Sequence, residues 1–364
     1  MYTTLIKSSP FASIHQSNGA EFRDEDGWRL ALHFGAVKDE YQAVRTGVGL
    51  LDRSNRSLLR FTGEDRVSFL QGMVSNDVTK LNPGSGMPAA FADIQGKILA
   101  DAKIFCTEEA FIVELWEPLR EKIHTHLQKY LIADDVEITD QTDEMTILSV
   151  QGPRSPQLVA ALMGNETPPD QELGHGEFQL RGHDFRIVRA THTGEIGFDL
   201  WIAPNEISAF VESLEEKGKD LSVRWVGTEA QEILRIEAGI PRYGKDMDQE
   251  NLVLETNLDS AVNFDKGCYL GQEVIERIHS RGHVNRKLTG LVLEGKSPAD
   301  HRASVHADGK EAGWVTSSVY SPLLQRAIAL GYVHKDQLSP GTPVSVEHDA
   351  KSIRATVSPL PFRS

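Results

Sequence analysis

A chain of 364 residues, 40% of them apolar and 25% charged, exceeds one compact domain and carries enough apolar side chains for more than one core. Its 53 acidic against 38 basic residues give a formal charge of −15, which disfavours unspecific attachment to nucleic acid, because that attachment runs on cation-rich surface. Its two cysteines, Cys106 and Cys268, lie far apart and make no disulfide framework or self-contained zinc or cluster site. The leading M-Y-T-T-L-I-K-S-S-P-F lacks the apolar core of a signal peptide, and no later run is long and apolar enough to cross a membrane. A cytoplasmic protein with no intrinsic metal is expected.

Residues 1–50 read as a polar lead-in with an amphipathic segment at 39–48, followed by an extended piece at 49–52. Leu58 to Phe61 reads as a strand, and Thr62-Gly63-Glu64-Asp65 sets a capping threonine three residues ahead of an acid. In the helix that follows, Val67, Leu70, Met73 and Val74 recur at steps of three and four, which predicts one buried face and puts Ser75-Asn76-Asp77-Val78 at its end. By itself an Asn-Asp pair there fits a cap or turn. Residues 89–105 predict a β-hairpin turning at Asp93-Ile94-Gln95-Gly96, residues 111–116 a further strand, and Pro118 opens a helix striped by Leu119, Ile123, Leu127 and Leu131.

A strand at 145–150, a short helix at 155–163 and a loop at 164–176 lead to a hairpin at 178–190 about Gly182-His183-Asp184. In T-H-T-G-E-I-G-F-D-L-W, 191–201, two glycines bracket Glu195 where a strand begins, so its carboxylate is expected to project from a bend; a solvated turn acid fits the same pattern. A helix at 205–216 and a strand at 221–226 precede a helix at 229–238 that Gly239 and Pro241 stop. Arg235, flanked by apolar residues near that stop, predicts a buried or half-buried cation that needs an anion, either an acid of the fold or a ligand carboxylate.

The stretch N-F-D-K-G-C-Y-L-G-Q-E-V-I-E-R, 263–277, is the most unusual of the chain. Gly267 and Gly271 flank Cys268-Tyr269-Leu270, which predicts a tight loop presenting Cys268 and a short helix from near Gln272. The thiol fits a small buried filler, or, beside Lys266, a thiolate of lowered pKa able to act as nucleophile or transient metal or cluster ligand. Residues 276–287 then gather Arg277, Arg281, Arg286, Lys287 and two histidines, either as a solvated loop or as a docking point for an anionic partner. Beyond about residue 284 only short strands separated by turns remain, at 287–293, 313–319, 327–333, 343–346 and 353–357, which predicts a small barrel or sandwich. The whole reads as an α+β chain with domains 1–283 and 284–364.

Four stretches resemble the folate-binding superfamily of the glycine-cleavage T protein, an aminomethyltransferase: F-L-Q-G-M-V-S-N-D-V-T-K-L at 69–81, T-H-T-G-E-I-G-F-D-L-W-I-A-P-N-E at 191–206, L-R-I-E-A-G at 234–239 and G-W-V-T-S-S-V-Y-S-P-L-L-Q-R-A-I-A-L-G-Y-V at 313–333. Within that superfamily K-G-C-Y-L-G-Q-E, Lys266 to Glu273, resembles the signature of the YgfZ branch. The resemblance implies two interleaved α/β subdomains around a central folate cavity, followed by a C-terminal β-barrel. Tetrahydrofolate is the implied cofactor, and iron–sulfur assembly or client proteins are the implied partners. The implied function is the maturation or repair of iron–sulfur proteins, tRNA-modifying enzymes among them.

Residue by residue, the resemblance implies folate binding by Asn76 and Asp77, a pterin-binding role for Glu195 and a ligand-binding role for Arg235 suited to a folate carboxylate. Lys266, Gly267, Cys268, Tyr269, Gly271, Gln272 and Glu273 form the signature, with Cys268 as its reactive thiol. The alternative is tetrahydrofolate-dependent aminomethyl transfer with Asp77 catalytic. Gln231 in place of the T protein's arginine and the ending Leu360-Pro361-Phe362-Arg363-Ser364, without an aromatic tail, count against transfer. Retention of Asp77 counts for it.

Overall fold

The computed structural model describes residues 6–164, 166–280, 282, 284–348 and 351–362. The chain makes two compact units: Met1–Leu70, Val78–Pro88 and Ala102–Gln231 form the first, and Gln71–Asp77, Ala89–Asp101 and Glu232–Ser364 the second.

A six-stranded sheet dominates the first unit, in the order His175–Leu180, His183–Arg189, Gly197–Ile202, Thr146–Gln151, Val48–Asp52, Val223–Trp225, antiparallel except for the last pair. The middle strands T-I-L-S-V-Q and G-F-D-L-W-I are buried along their whole length. Alternation explains their composition. Leu148, Val150, Phe198 and Leu200 pack with the helices Ser155–Leu162 and Ile207–Lys217, while Ile147 and Trp201 meet Phe105 and Val188 on the other face. Ser149, Gln151 and Asp199 share that second face without solvent and must find partners inside.

A five-stranded sheet follows the order Gly86–Ala92, Ile98–Cys106, Phe111–Trp116, Arg56–Thr62, Glu137–Asp140, and its hairpin turns where Asp93-Ile94-Gln95-Gly96 was expected to turn. The polar lead-in is itself structured: strands Glu21–Glu25 and Trp28–His33 form a hairpin, and Lys7–Ser8 pairs parallel to the second. Asp26 and Gly27, with φ of 51° and 79°, are the left-handed pair that closes such a two-residue turn. Thr62 ends a strand instead of capping a helix, which starts at Arg66 after Gly63 bends the chain at φ 100°. Leu70, Met73 and Val74 of the expected stripe are buried, but Val67 is exposed.

In the second unit the C-terminal strands close a six-stranded barrel: Arg286–Leu293, Arg326–His334, Lys310–Ser321, Ser304–Ala307, Pro343–His348 and Lys351–Ser358, the last pairing back to the first. The short Ser304–Ala307 strand was not expected. The strand R-A-I-A-L-G-Y-V-H is apolar on both sides because Ala327, Ala329 and Val333 fill the barrel, whereas Ile328, Leu330 and Tyr332 pack outside it on Ile236. The fold is thus the α/β-plus-barrel architecture implied by the resemblance.

Close strand pairing leaves no room at Gly313, where a Cβ would stand 1.8 Å from the Tyr332 carbonyl oxygen. Gly313→Ala is expected to destabilise the protein by about 1–3 kcal/mol, the usual range for overpacking. Chemical denaturation checks this; an unchanged midpoint contradicts it.

Candidate functional site

The helix Arg66–Met73 hands the chain to Ser75-Asn76-Asp77. Carbonyls at such an end have no partner inside the helix. Lys266 supplies one: its Nζ donates to the carbonyl oxygens of Gln71 at 2.7 Å, Val74 at 2.6 Å and Asn76 at 2.8 Å. All three ammonium hydrogens are thereby used. Ser75 Oγ donates to Ala261 O at 2.6 Å and accepts from Ala90 N at 2.9 Å, and the Ser75 backbone bonds Ala90 and Asn263. Asn76 Nδ2 donates to Ser260 O at 3.0 Å while its Oδ1 accepts from Asp77 N at 2.9 Å. Gln71 Nε2 donates to Asp77 Oδ1 at 3.0 Å, and Asp77 is 7% exposed. Asn76 therefore ties the segment to Ser260 and to its own neighbour, and the segment holds a nearly buried carboxylate.

The signature loop is part of this arrangement. Leu270 N donates to Gly72 O at 3.0 Å, and the Lys266 ammonium stands 4.8 Å from the centre of the buried Tyr269 ring. Burial pushes the Lys266 pKa down to about 8 against the opposing charge of Asp77, and burial pushes Tyr269 up to about 12. The Lys266 ammonium thus spends its donors on the Asp77 segment. Cys268 itself is exposed, so the buried-filler reading fails. Of the two flanking glycines only one is sterically required: Gly271 has φ 86° and a Cβ there would lie 2.4 Å from Asp93 O, whereas nothing lies within 4 Å of a Cβ at Gly267. Gln272 opens the expected helix, Gln272–Ser280, and bonds Glu276, while Glu273 is exposed.

Glu195 belongs to the first unit. It projects from the expected bend, with φ 76° at Gly194, but it is not a solvated turn acid: Arg45 Nη1 donates to its Oε1 at 2.8 Å and to Thr193 O at 3.3 Å. Gln151 sets the bend. Its Oε1 accepts from His192 N at 3.0 Å and Thr193 Oγ1 at 3.1 Å, and its Nε2 donates to Ser149 Oγ and Ala190 O, each at 2.8 Å. Gly197 is required because a Cβ would fall 2.0 Å from that amide nitrogen.

Beneath the bend lies a charge network that the sequence reading missed. His192 Nε2 bonds both Asp199 carboxylate oxygens at 2.9 Å, Lys103 Nζ stands 3.7 Å from Asp199 and 3.6 Å from Glu114, and Arg56 donates to Glu114 at 2.8 Å. Burial alone would raise the Asp199 pKa; His192 and Lys103 outweigh it and hold the carboxyl below its ordinary value. Burial, reinforced by Arg53, pushes His192 down to about 4. The available signal was charge at inward positions of apolar strands, as in F-D-L-W.

Arg235 resolves the choice between an internal acid and a ligand. Nε and Nη2 bond Glu232 at 2.7 and 2.6 Å, Nη1 bonds Asp246 at 2.7 Å and Ile240 O at 3.0 Å, and Nη2 also reaches Ser317 Oγ at 2.8 Å. The five donors of the guanidinium are all engaged. Burial works against its charge, but Asp246 and Glu232 prevail and keep it above its ordinary pKa. In the basic stretch Arg286 pairs with Glu255 at 3.1 Å and Lys287 with Asp259 at 2.7 Å, while Arg281 and His283 lie outside the described residues. Those two paired cations are committed within the second unit, which weakens the docking reading.

The family model described as the GCVT N-terminal domain matches residues 11–266, and that of the glycine cleavage T-protein C-terminal barrel domain matches residues 286–363. The chain therefore belongs to the glycine-cleavage T-protein family. An aminomethyltransferase of Rubrobacter xylanophilus is 32% identical over 98% of this chain and 94% of its own, and one of Picosynechococcus is 30% identical over 98% of each. The crystal structure of glycine cleavage system aminomethyltransferase T from Bartonella henselae superposes with a TM-score of 0.90 at 26% identity, covering 98% of both chains. These names favour the transfer alternative over the YgfZ-type reading.

The buried histidines give the fold an acid limit. His192 and His175 both have pKa values lowered from 6.5 to about 4, chiefly by burial, so between those values the unfolded chain binds protons that the folded chain refuses. Stability is expected to fall as pH drops through that window. Denaturation midpoints at pH 7, 5.5 and 4.5 measure it, and equal midpoints contradict it. His175→Gln should flatten the slope.

Proposed function

We propose that this protein is a tetrahydrofolate-dependent aminomethyltransferase. The observation that carries the reading is the Asn76-Asp77 segment: the aspartate matching the family's Asn-Asp-Val motif is nearly buried and its loop is bonded on every side. Full-length similarity to proteins named aminomethyltransferase supports it. The residues fit the cofactor in part. A carboxylate at Asp77 suits a proton-bearing pterin nitrogen, while Arg235, with its donors spent on Glu232, Asp246, Ile240 and Ser317, is assigned to the scaffold.

Tetrahydrofolate supplies, when bound, the pterin nitrogen that accepts the one-carbon unit. Asp77 would orient that nitrogen and hold or accept its proton at a carboxylate oxygen. The folate-binding part is assigned to 1–283 and the barrel domain to 284–364, in keeping with family models that end at 266 and begin at 286. The test is to incubate the protein with tetrahydrofolate and an aminomethyl-loaded lipoyl carrier. Wild type should form methylenetetrahydrofolate and Asp77→Asn should lose about two to four orders of magnitude in kcat, the range of general acid–base catalysis. No product from wild type rejects the reading.

One observation favours a second reading, a folate-binding accessory factor for iron–sulfur proteins: Cys268 is exposed on the loop that carries the YgfZ-like K-G-C-Y-L-G-Q-E. That reading requires Cys268→Ser to abolish complementation of a deletion strain with folate affinity retained. Full complementation by Cys268→Ser removes it.

A further inference from the structure

We propose that Lys266 is the positioning residue for Asp77, acting through the backbone it holds and not through the Cys268 thiol beside it in sequence. The proposal rests on the transferase reading for what Asp77 does, and on geometry for how it is held.

The three carbonyls that Lys266 grips, Gln71, Val74 and Asn76, enclose the turn that delivers Asp77. Gln71 also gives its side-chain amide to Asp77 Oδ1, so the residue whose carbonyl is held is the one that orients the carboxylate. Asn76, whose carbonyl is the third acceptor, bonds the Asp77 amide through its side chain. The ammonium thus acts on the carboxylate through Gln71 and on the backbone through Asn76. The groups facing it are Asp77, from the held segment, and Tyr269 on its own loop, which stays neutral with a pKa of about 12.

Loss of the proton from Nζ leaves two donors for three carbonyls and turns a lone pair toward the third. With the Lys266 pKa lowered to about 8, that change falls within an accessible range. Its effect on the fold has the opposite sign. Between about 8 and the ordinary 10.5 the unfolded chain holds more protons at this group, so its contribution to stability rises with pH while the grip on Asp77 slackens.

The test uses full-length wild type, Lys266→Met and Lys266→Arg. Amide hydrogen exchange, which needs no folate, should show Gln71–Val78 opening about tenfold or more faster in Lys266→Met, as loss of charge-assisted bonds requires, with the barrel unchanged. The wild-type kcat should decline above about pH 8 with KM little changed and without a drop in melting temperature. In Lys266→Arg, which stays charged, activity should be lower but that decline should vanish. If Lys266→Met does not fold, the wild-type and Lys266→Arg pH profiles decide. Unchanged exchange in Lys266→Met, or the same decline in Lys266→Arg, overturns the proposal. Faster exchange together with no turnover by wild type leaves the positioning role standing and defeats the transferase reading instead.

Discussion

One ammonium among three carbonyls holds the Asp77 segment in its shape. A buried carbonyl left without a donor costs about 1–3 kcal/mol, so the shape of the segment depends on all three bonds. The geometry also explains the residue type. Lysine ends in a compact charge with three diverging donors, whereas the donors of arginine lie in one plane and suit a carboxylate better than three converging peptide oxygens.

The other buried charges follow the complementary rule. Arg235 turns its planar fork to Glu232 and spends the remaining donors on Asp246, Ile240 and Ser317. Asp199 and Glu114 share Lys103 and take His192 and Arg56 for the rest. Desolvating any one of these ions costs several kcal/mol, so each needs an opposite charge close by. That sets a division of labour: the carboxylate at Asp77 accepts from the neutral Gln71 amide with a cation nearby, while the scaffold charges cancel one another.

Much of the fold was legible because local signals and tertiary packing agree. Asp93-Ile94-Gln95-Gly96 closes a hairpin, Gly239 ends a helix with φ 70°, and the barrel strands alternate as written. Asp26-Gly27 carried an equally clear turn signal that the surrounding polar residues obscured. The site was less legible for a physical reason: its partners are distant in sequence. Lys266 looked like a neighbour of Cys268 because adjacency is all that a linear reading offers, yet its side chain binds residues 190 to 195 positions earlier. Arg235 announced its need for an anion without saying which, because Asp246 lies beyond the end of its helix. Glu195 was correctly placed on a bend, but neither Arg45 nor Gln151 was visible from its surroundings.

The second unit is woven from three separated stretches of chain, and the contacts of Ser75 with Ala261 span 186 residues. Ribosomal synthesis proceeds from the N-terminus, and contacts of such separation carry a large loop-closure cost that is met only when both ends exist. Asp77 is therefore made early and ordered late. A nascent chain truncated before residue 266 contains the aspartate without its anchor, so the segment gains its hold only after synthesis has passed Lys266.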